Sequence, residues 1–246
     1  MRLSKAWLIA RRDFKIFGQQ KNIWYSIFIF PVIISVLFPA ILQFAGQRSR
    51  GLLTIANLPN LLDSFSFFIV IGAAFIPLGI ASYSIVGEKI EKSLEPLLAT
   101  PLTDGEILLG KAIAALLPAL VVMYAGASVF MVGVDAVTSG KLGYNYFPNL
   151  TFAFLLLVLV PLAVIMSVLY SVIVSSRAND VRSANSYSIL IFLPLMAIYF
   201  ASEIRIITLD ITGFLIIAGI LSAFDVALFF IGTKAFQREE ILTKWK

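Results

Sequence analysis

Residues 88–111 read EKIEKSLEPLLATPLTDGEILLGK and stand between two long apolar runs, 64–86 and 112–134. Glu88, Lys89, Glu91, Lys92 and Glu95 are too costly to place in hydrocarbon, so the stretch sits in water with a membrane span on either side. The rest of the chain follows the same plan. Its 246 residues are 60% hydrophobic and only 13% charged, which excludes an ordinary soluble domain. Working outward from the loop, apolar runs close to the ~20 residues that cross a bilayer fall at 23–44, 64–86, 112–134, 150–174, 184–200 and 211–233. The fold class expected is an all-α membrane protein, a single domain over 1–246 with six transmembrane helices. The shorter run 52–62 contains Pro59 and reads as a re-entrant or surface-lying segment.

Residues 1–21 lead in. Leu3, Trp7, Ala10, Phe14 and Phe17 recur at alternating steps of four and three, which is one stripe of a helix. Arg2, Lys5, Arg11, Arg12 and Lys15 supply its polar side. Such a helix lies in the headgroup region with Trp7 and Phe14 inward and Arg11 and Arg12 among the phosphates. Lys and Arg in the loops set the orientation. The lead-in, the 88–111 loop, the 175–183 loop and the tail after 233 hold all 19 of them except Arg48, Arg50, Lys141 and Arg205. Both termini and the 88–111 loop are therefore expected in the cytoplasm. The net charge of +5 reflects this asymmetry, not a nucleic-acid surface.

Within the loop the turn chemistry is specific. Ser93 can cap a short helix starting at Leu94, and Pro96 is tolerated in its first turn. Thr100-Pro101 ends it, because a residue before proline is pushed out of the helical region. Thr103-x-x-Glu106 is a capping-box pattern that starts the next helix. Leu94, Leu97 and Leu98 are too apolar to face water alone. Either another protein grips this short helix, or its leucines rest on the bilayer surface.

The pattern Glu88-x-x-x-x-Ser93-Leu94-Glu95-Pro96-Leu97-Leu98-Ala99-Thr100-Pro101, followed by Glu106-Ile107 and Gly110-Lys111, resembles the first cytoplasmic loop of the type-2 ABC exporter permease family. The resemblance implies a coupling helix that docks on a separate ATP-binding subunit, with Glu88, Glu91, Ser93, Leu94, Glu95, Pro96, Leu97, Leu98, Thr100 and Pro101 at the contact. It implies an elbow helix over 1–21 and a second permease copy, identical or related, completing the pathway. It also implies that the second and fifth spans line that pathway, making Phe68, Phe75, Tyr83, Tyr187 and Phe192 candidates for touching substrate.

Chemistry carried by the chain itself is sparse. With no cysteine and no histidine there is no thiol, disulfide or imidazole chemistry. Gly105 to Gly110-Lys111 fits the spacing of a phosphate-binding loop, but Ala112 stands where the metal-binding hydroxyl is required, and a capping box replaces the flexible nest. No cofactor is expected in this chain, so ATP and magnesium belong to the partner. Asp225 is the one carboxylate deep in a span. It reads as a proton or cation site, or as a structural group satisfied by Ser222. The function expected is that of an exporter permease for an amphiphilic or hydrophobic molecule. The alternatives are an ion-coupled carrier or channel using Asp225, and a membrane assembly factor.

Overall fold

Inside a bilayer no water is available to bond peptide groups, so long apolar runs satisfy their backbone internally as helices. The computed structural model of the protein describes residues 3–19, 21–48, 58–90, 100, 102–178, 180–204, 206 and 209–235, and no strand occurs among them. Helix α1 is Leu3–Gln19. The first span is α2 (Lys21–Val32), a π-helical turn Ile33–Leu37 and α3 (Phe38–Arg48). The second is α4 (Leu58–Ile90) and the third α5 (Asp104–Leu142). The fourth is α6 (Leu150–Phe154), a π-helical turn Leu155–Leu159 and α7 (Val160–Arg177). The fifth is α8 (Val181–Ser188), a 3-10 turn Ile189–Ile191 and α9 (Phe192–Glu203), and the sixth is α10 (Ile211–Ala235). Among the described residues six segments are long and apolar enough to cross a membrane, at Ile27–Phe44, Leu61–Ala81, Gly105–Gly140, Leu150–Arg177, Arg182–Ser202 and Ile211–Thr233. The six-span all-α reading holds.

The three irregular turns share one cause. A proline cannot donate to the carbonyl four residues before it, and its ring crowds that carbonyl. For Pro39, Pro161 and Pro194 those positions are Ser35, Leu157 and Leu190, each at the centre of one irregular turn. The helix widens or tightens there and continues. Pro77 and Pro118 sit inside unbroken helices.

The second span is the axis of the bundle and the most buried of the six. It packs chiefly on the fourth, where the Ser167 hydroxyl donates to the Ala74 carbonyl. The fourth in turn carries the sixth, while the third carries α1. The first and third spans meet closely at Gly126, where a Cβ would stand 2.8 Å from Pro31 Cβ. Beside it the Ser35 hydroxyl reaches the Gly126 carbonyl at 2.7 Å.

Two expectations are corrected. Residues 58–62 do not form a separate segment: they are the first turns of α4, with Leu58 and Leu62 buried in the core and Pro59 tolerated in the opening turn. Residues 52–57 lie outside the described residues. The third span is also longer than its apolar run, reaching from the cap at Thr103 to Gly143, whose φ of 76° closes the helix in the left-handed conformation that glycine favours. Its first turns therefore draw Lys111 out of the loop and into the protein interior.

At the end of the bundle away from residues 90–104, here the far end, the third and fourth spans are joined by a packed turn. Asp135 Oδ1 accepts the backbone N–H groups of Tyr146 at 2.9 Å and Phe147 at 3.1 Å. The Tyr146 hydroxyl donates to Asp63 at 2.9 Å, tying in the second span. Burial and the neighbouring Asp63 carboxylate push that hydroxyl well above its ordinary pKa. Asn149 caps the next helix through the Phe152 N–H at 2.7 Å. Phe147 packs against Phe130 and Phe152 beneath.

Candidate functional site

The 88–111 loop is held at both ends. Residues 91–99 lie outside the described residues, which takes in Glu91, Ser93, Leu94, Glu95, Pro96, Leu97 and Leu98; so do Pro101 and the side chain of Glu88. Thr100 is described, half-buried in a bend. On the entry side, Val86 near the end of α4 packs with Ala178 and Ala184 in a small cluster of its own. Asp180 caps α8 there. The Ser183 N–H at 2.7 Å and its hydroxyl at 2.8 Å hold the exposed Asp180 carboxylate below the ordinary range.

On the exit side the expected capping box is present. The Thr103 N–H donates to Glu106 Oε2 at 3.1 Å, and the Glu106 N–H donates to Thr103 Oγ1 at 3.3 Å. Glu106, Ile107 and Leu108 are buried at once, so the helix goes straight from its cap into the protein. Two turns on, Gly110 and Lys111 meet α1. A Cβ at Gly110 would stand 2.7 Å from Ile9 Cβ and 2.8 Å from the Ala6 carbonyl oxygen, a contact only glycine permits. The Lys111 side chain is 0% exposed, and its ammonium lies 3.7 Å from Asp13 Oδ2. Arg12 holds the other oxygen, Asp13 Oδ1, at 2.9 Å.

This geometry adds to the reading of α1 the face that it turns to the protein. Its packed stripe is Ala6, Ile9, Ala10, Asp13 and Phe17, turned from the expected one towards the small residues. Ala10 and Phe17 are shared with the expectation. Trp7 is 49% exposed and touches Phe14 edge-on at 6.2 Å, and Arg11 is exposed. Asp13 was missed. Its signal in the sequence is that it is a lone acid among Arg11, Arg12 and Lys15, where a headgroup-facing helix has no use for one. Lys111 likewise belongs to the interior, not to the loop's charge.

The aromatic candidates divide. Phe75 meets Phe192 of the fifth span at 5.4 Å and Phe30 of the first at 5.3 Å. Phe68 packs on Tyr199 at 4.7 Å and on Phe38 at 5.2 Å. These rings form a partly exposed column on the second span, flanked by the first and fifth. The Phe30 ring occupies the space that Gly72 leaves open. Tyr187 stands apart on α8, 61% exposed, and the side chain of Tyr83 lies outside the described residues. Phe30, Phe38 and Tyr199 were not anticipated, because they face the column from neighbouring spans.

Asp225 is buried on α10, and neither carboxylate oxygen has a hydrogen-bond partner among the described residues. Ser222 does not satisfy it. The Ser222 hydroxyl donates to the Ala218 carbonyl of its own helix at 2.7 Å. The first and third spans also bound an open groove of about 600 Å³ lined by Ser35, Pro39, Gln43, Val129, Val132 and Gly133 among others.

No curated protein matches this chain. The sequence model of one family, described as ABC-2 family transporter protein, matches residues 7–240 and so takes in α1 from Trp7 onward and all six membrane spans. With its helices and this match in agreement, the chain belongs to the ABC-2 transporter family and is a multi-span membrane permease.

Proposed function

We propose that this permease is the membrane half of an exporter, a single domain that works with a separate ATP-binding subunit and a second permease copy to move an amphiphilic or hydrophobic molecule out of the cytoplasm. The observation that carries the reading is the Ser93-to-Pro101 motif, set between a helix end packed on Ala178 and Ala184 and a capped helix start packed on α1. Leu94, Leu97 and Leu98 supply the apolar contact and Glu95 a charge for a basic residue on the ATPase. ATP and magnesium are held by that partner, because no phosphate loop can form where Ala112 follows Lys111 inside a helix. The column of Phe75, Phe192, Phe68 and Tyr199 gives the pathway an apolar, aromatic wall once a second copy faces it.

Two results test the frame. Single cysteines placed at Lys92 and Lys141, in a chain that has none, should react with a membrane-impermeant thiol reagent from opposite sides, Lys141 from outside. Labelling of both from one side would overturn the orientation. Co-expression with the ATP-binding subunit should then give ATP-dependent uptake of substrate into inverted vesicles.

The unpartnered carboxylate of Asp225 favours a second reading, an ion-coupled carrier. Asp225→Asn keeps the shape and the hydrogen-bonding capacity and removes the charge. Under the exporter reading, ATP-driven transport should stay within about threefold of wild type, since no reacting or binding group is lost. Loss of transport that follows a pH or cation gradient would establish the carrier instead.

A further inference from the structure

We propose that Asp13 and Lys111 are positioning residues that bind α1 and the loop-side end of the third span into one rigid lever, so that a push on the 88–111 loop moves both together. The inference rests on the coupling reading above and adds to it the part of the permease that receives the push. Its grounds are three contacts within two helical turns of the loop's exit. The capping box fixes where α5 begins. Seven residues into that helix, Gly110 lets the backbone of α1 approach until Ile9 and Ala6 lie against it. At the next residue Lys111 is buried completely and faces the buried Asp13 carboxylate at 3.7 Å.

An ammonium with no exposed surface is expensive unless a carboxylate faces it, so the pair selects one register between the two helices. Sliding α1 by a single turn would move Asp13 about 5.4 Å and leave two buried charges apart. The close contact at Gly110 forbids rotation in the same way. Arg12 completes the arrangement from the exposed side by holding the second carboxylate oxygen. At the entry end of the loop Val86, Ala178 and Ala184 meet through apolar surface, which fixes no register by charge. A displaced loop therefore turns the third span and α1 as a unit against the second span.

The test uses the permease co-expressed with its ATP-binding subunit and reconstituted into vesicles. Asp13→Asn and Lys111→Met should each lower ATP-driven transport by ~10-fold or more while the two subunits still co-purify, since each variant removes the ion pair that sets the register between the two helices but alters no docking residue. The exchanged pair Asp13→Lys with Lys111→Asp, combined with Arg12→Gln so that no second cation crowds the new lysine, should restore most of the transport. Single variants that transport like wild type would overturn the proposal. Should a single variant fail to accumulate in the membrane, a disulfide decides. Ile9→Cys with Gly110→Cys brings together two Cβ atoms that must part by about 1 Å to reach bonding geometry, and the new Cβ also crowds the Ala6 carbonyl oxygen, so the reduced double variant is the reference. Oxidation should leave transport at the level of that reduced variant if α1 and the third span move as one. Transport that stops on oxidation and returns on reduction would show that they must slide, and the lever would fall. Failure of the wild-type subunits to co-purify would instead count against the coupling reading.

Discussion

Leu97→Asp is expected to release the ATP-binding subunit while the permease still inserts and folds. Burial of one leucine side chain is worth about 1.5–3 kcal/mol, and a carboxylate put in its place adds the cost of an unpaired charge in a dry contact. A loss of even 3 kcal/mol weakens binding by roughly a hundredfold or more. The substitution lies outside the membrane-spanning segments, so membrane accumulation and thermal unfolding of the permease should match wild type. Co-purification of the two subunits in parallel with ATP-dependent transport is the measurement. If both persist at wild-type levels, the 88–111 loop is not where the ATPase acts. Leu97→Met, which keeps volume and polarity, should leave both intact.

What was legible in the sequence followed from the strongest physical constraints. A bilayer forces long apolar runs into helices and excludes charge from them, so six spans could be counted and bounded from composition. The capping box at Thr103 and Glu106 was equally readable, because two side-chain types at one spacing solve one local problem. The packed face of α1 was not. Its aromatic stripe is the larger hydrophobic signal, yet the helix approaches Gly110 through Ala6 and Ile9, and hydropathy counts a small residue such as Ala6 as weak. Lys111 was misassigned for a related reason. Its charge suggested water, and only the position of Asp13 on a different helix shows how it can be buried. Irregular turns fall four residues before Pro39, Pro161 and Pro194, while Pro77 and Pro118 sit in unbroken helix, a difference that residue type alone does not set.

At the candidate site the column of rings was half legible. Phe68 and Phe75 could be placed on one span by spacing, and Phe192 on another. Their partners Phe30 and Phe38 come from the first span, which nothing local assigns to the same face. The column depends on Gly72 leaving room for the Phe30 ring. A glycine inside a helix carries no sign of which neighbour fills its gap.

Asp135→Ala is expected to cost the permease about 2–6 kcal/mol of stability, because it orphans two backbone donors at about 1–3 kcal/mol each. Both the Tyr146 and the Phe147 N–H donate to the same oxygen, Asp135 Oδ1, and Phe147 is only 3% exposed, so water replaces the lost acceptor poorly. The damage should spread from there. Phe147 sits 4.4 Å from Phe152 and 5.8 Å from Phe130, so a displaced turn loosens the packing between the third and fourth spans. Tyr146 would also lose its aim at Asp63, the link to the second span. Asp135→Asn separates hydrogen bonding from charge. The side-chain oxygen of asparagine can still accept both N–H groups, so that variant should lose less than about 1.5 kcal/mol, the difference between a charged and a neutral acceptor. Thermal unfolding of the purified permease, followed by aggregation or by protease resistance, ranks the three proteins. The order expected is wild type, then Asp135→Asn close behind, then Asp135→Ala well below. If the two variants fall equally far, the carboxylate acts through its charge and not as the acceptor that holds this turn.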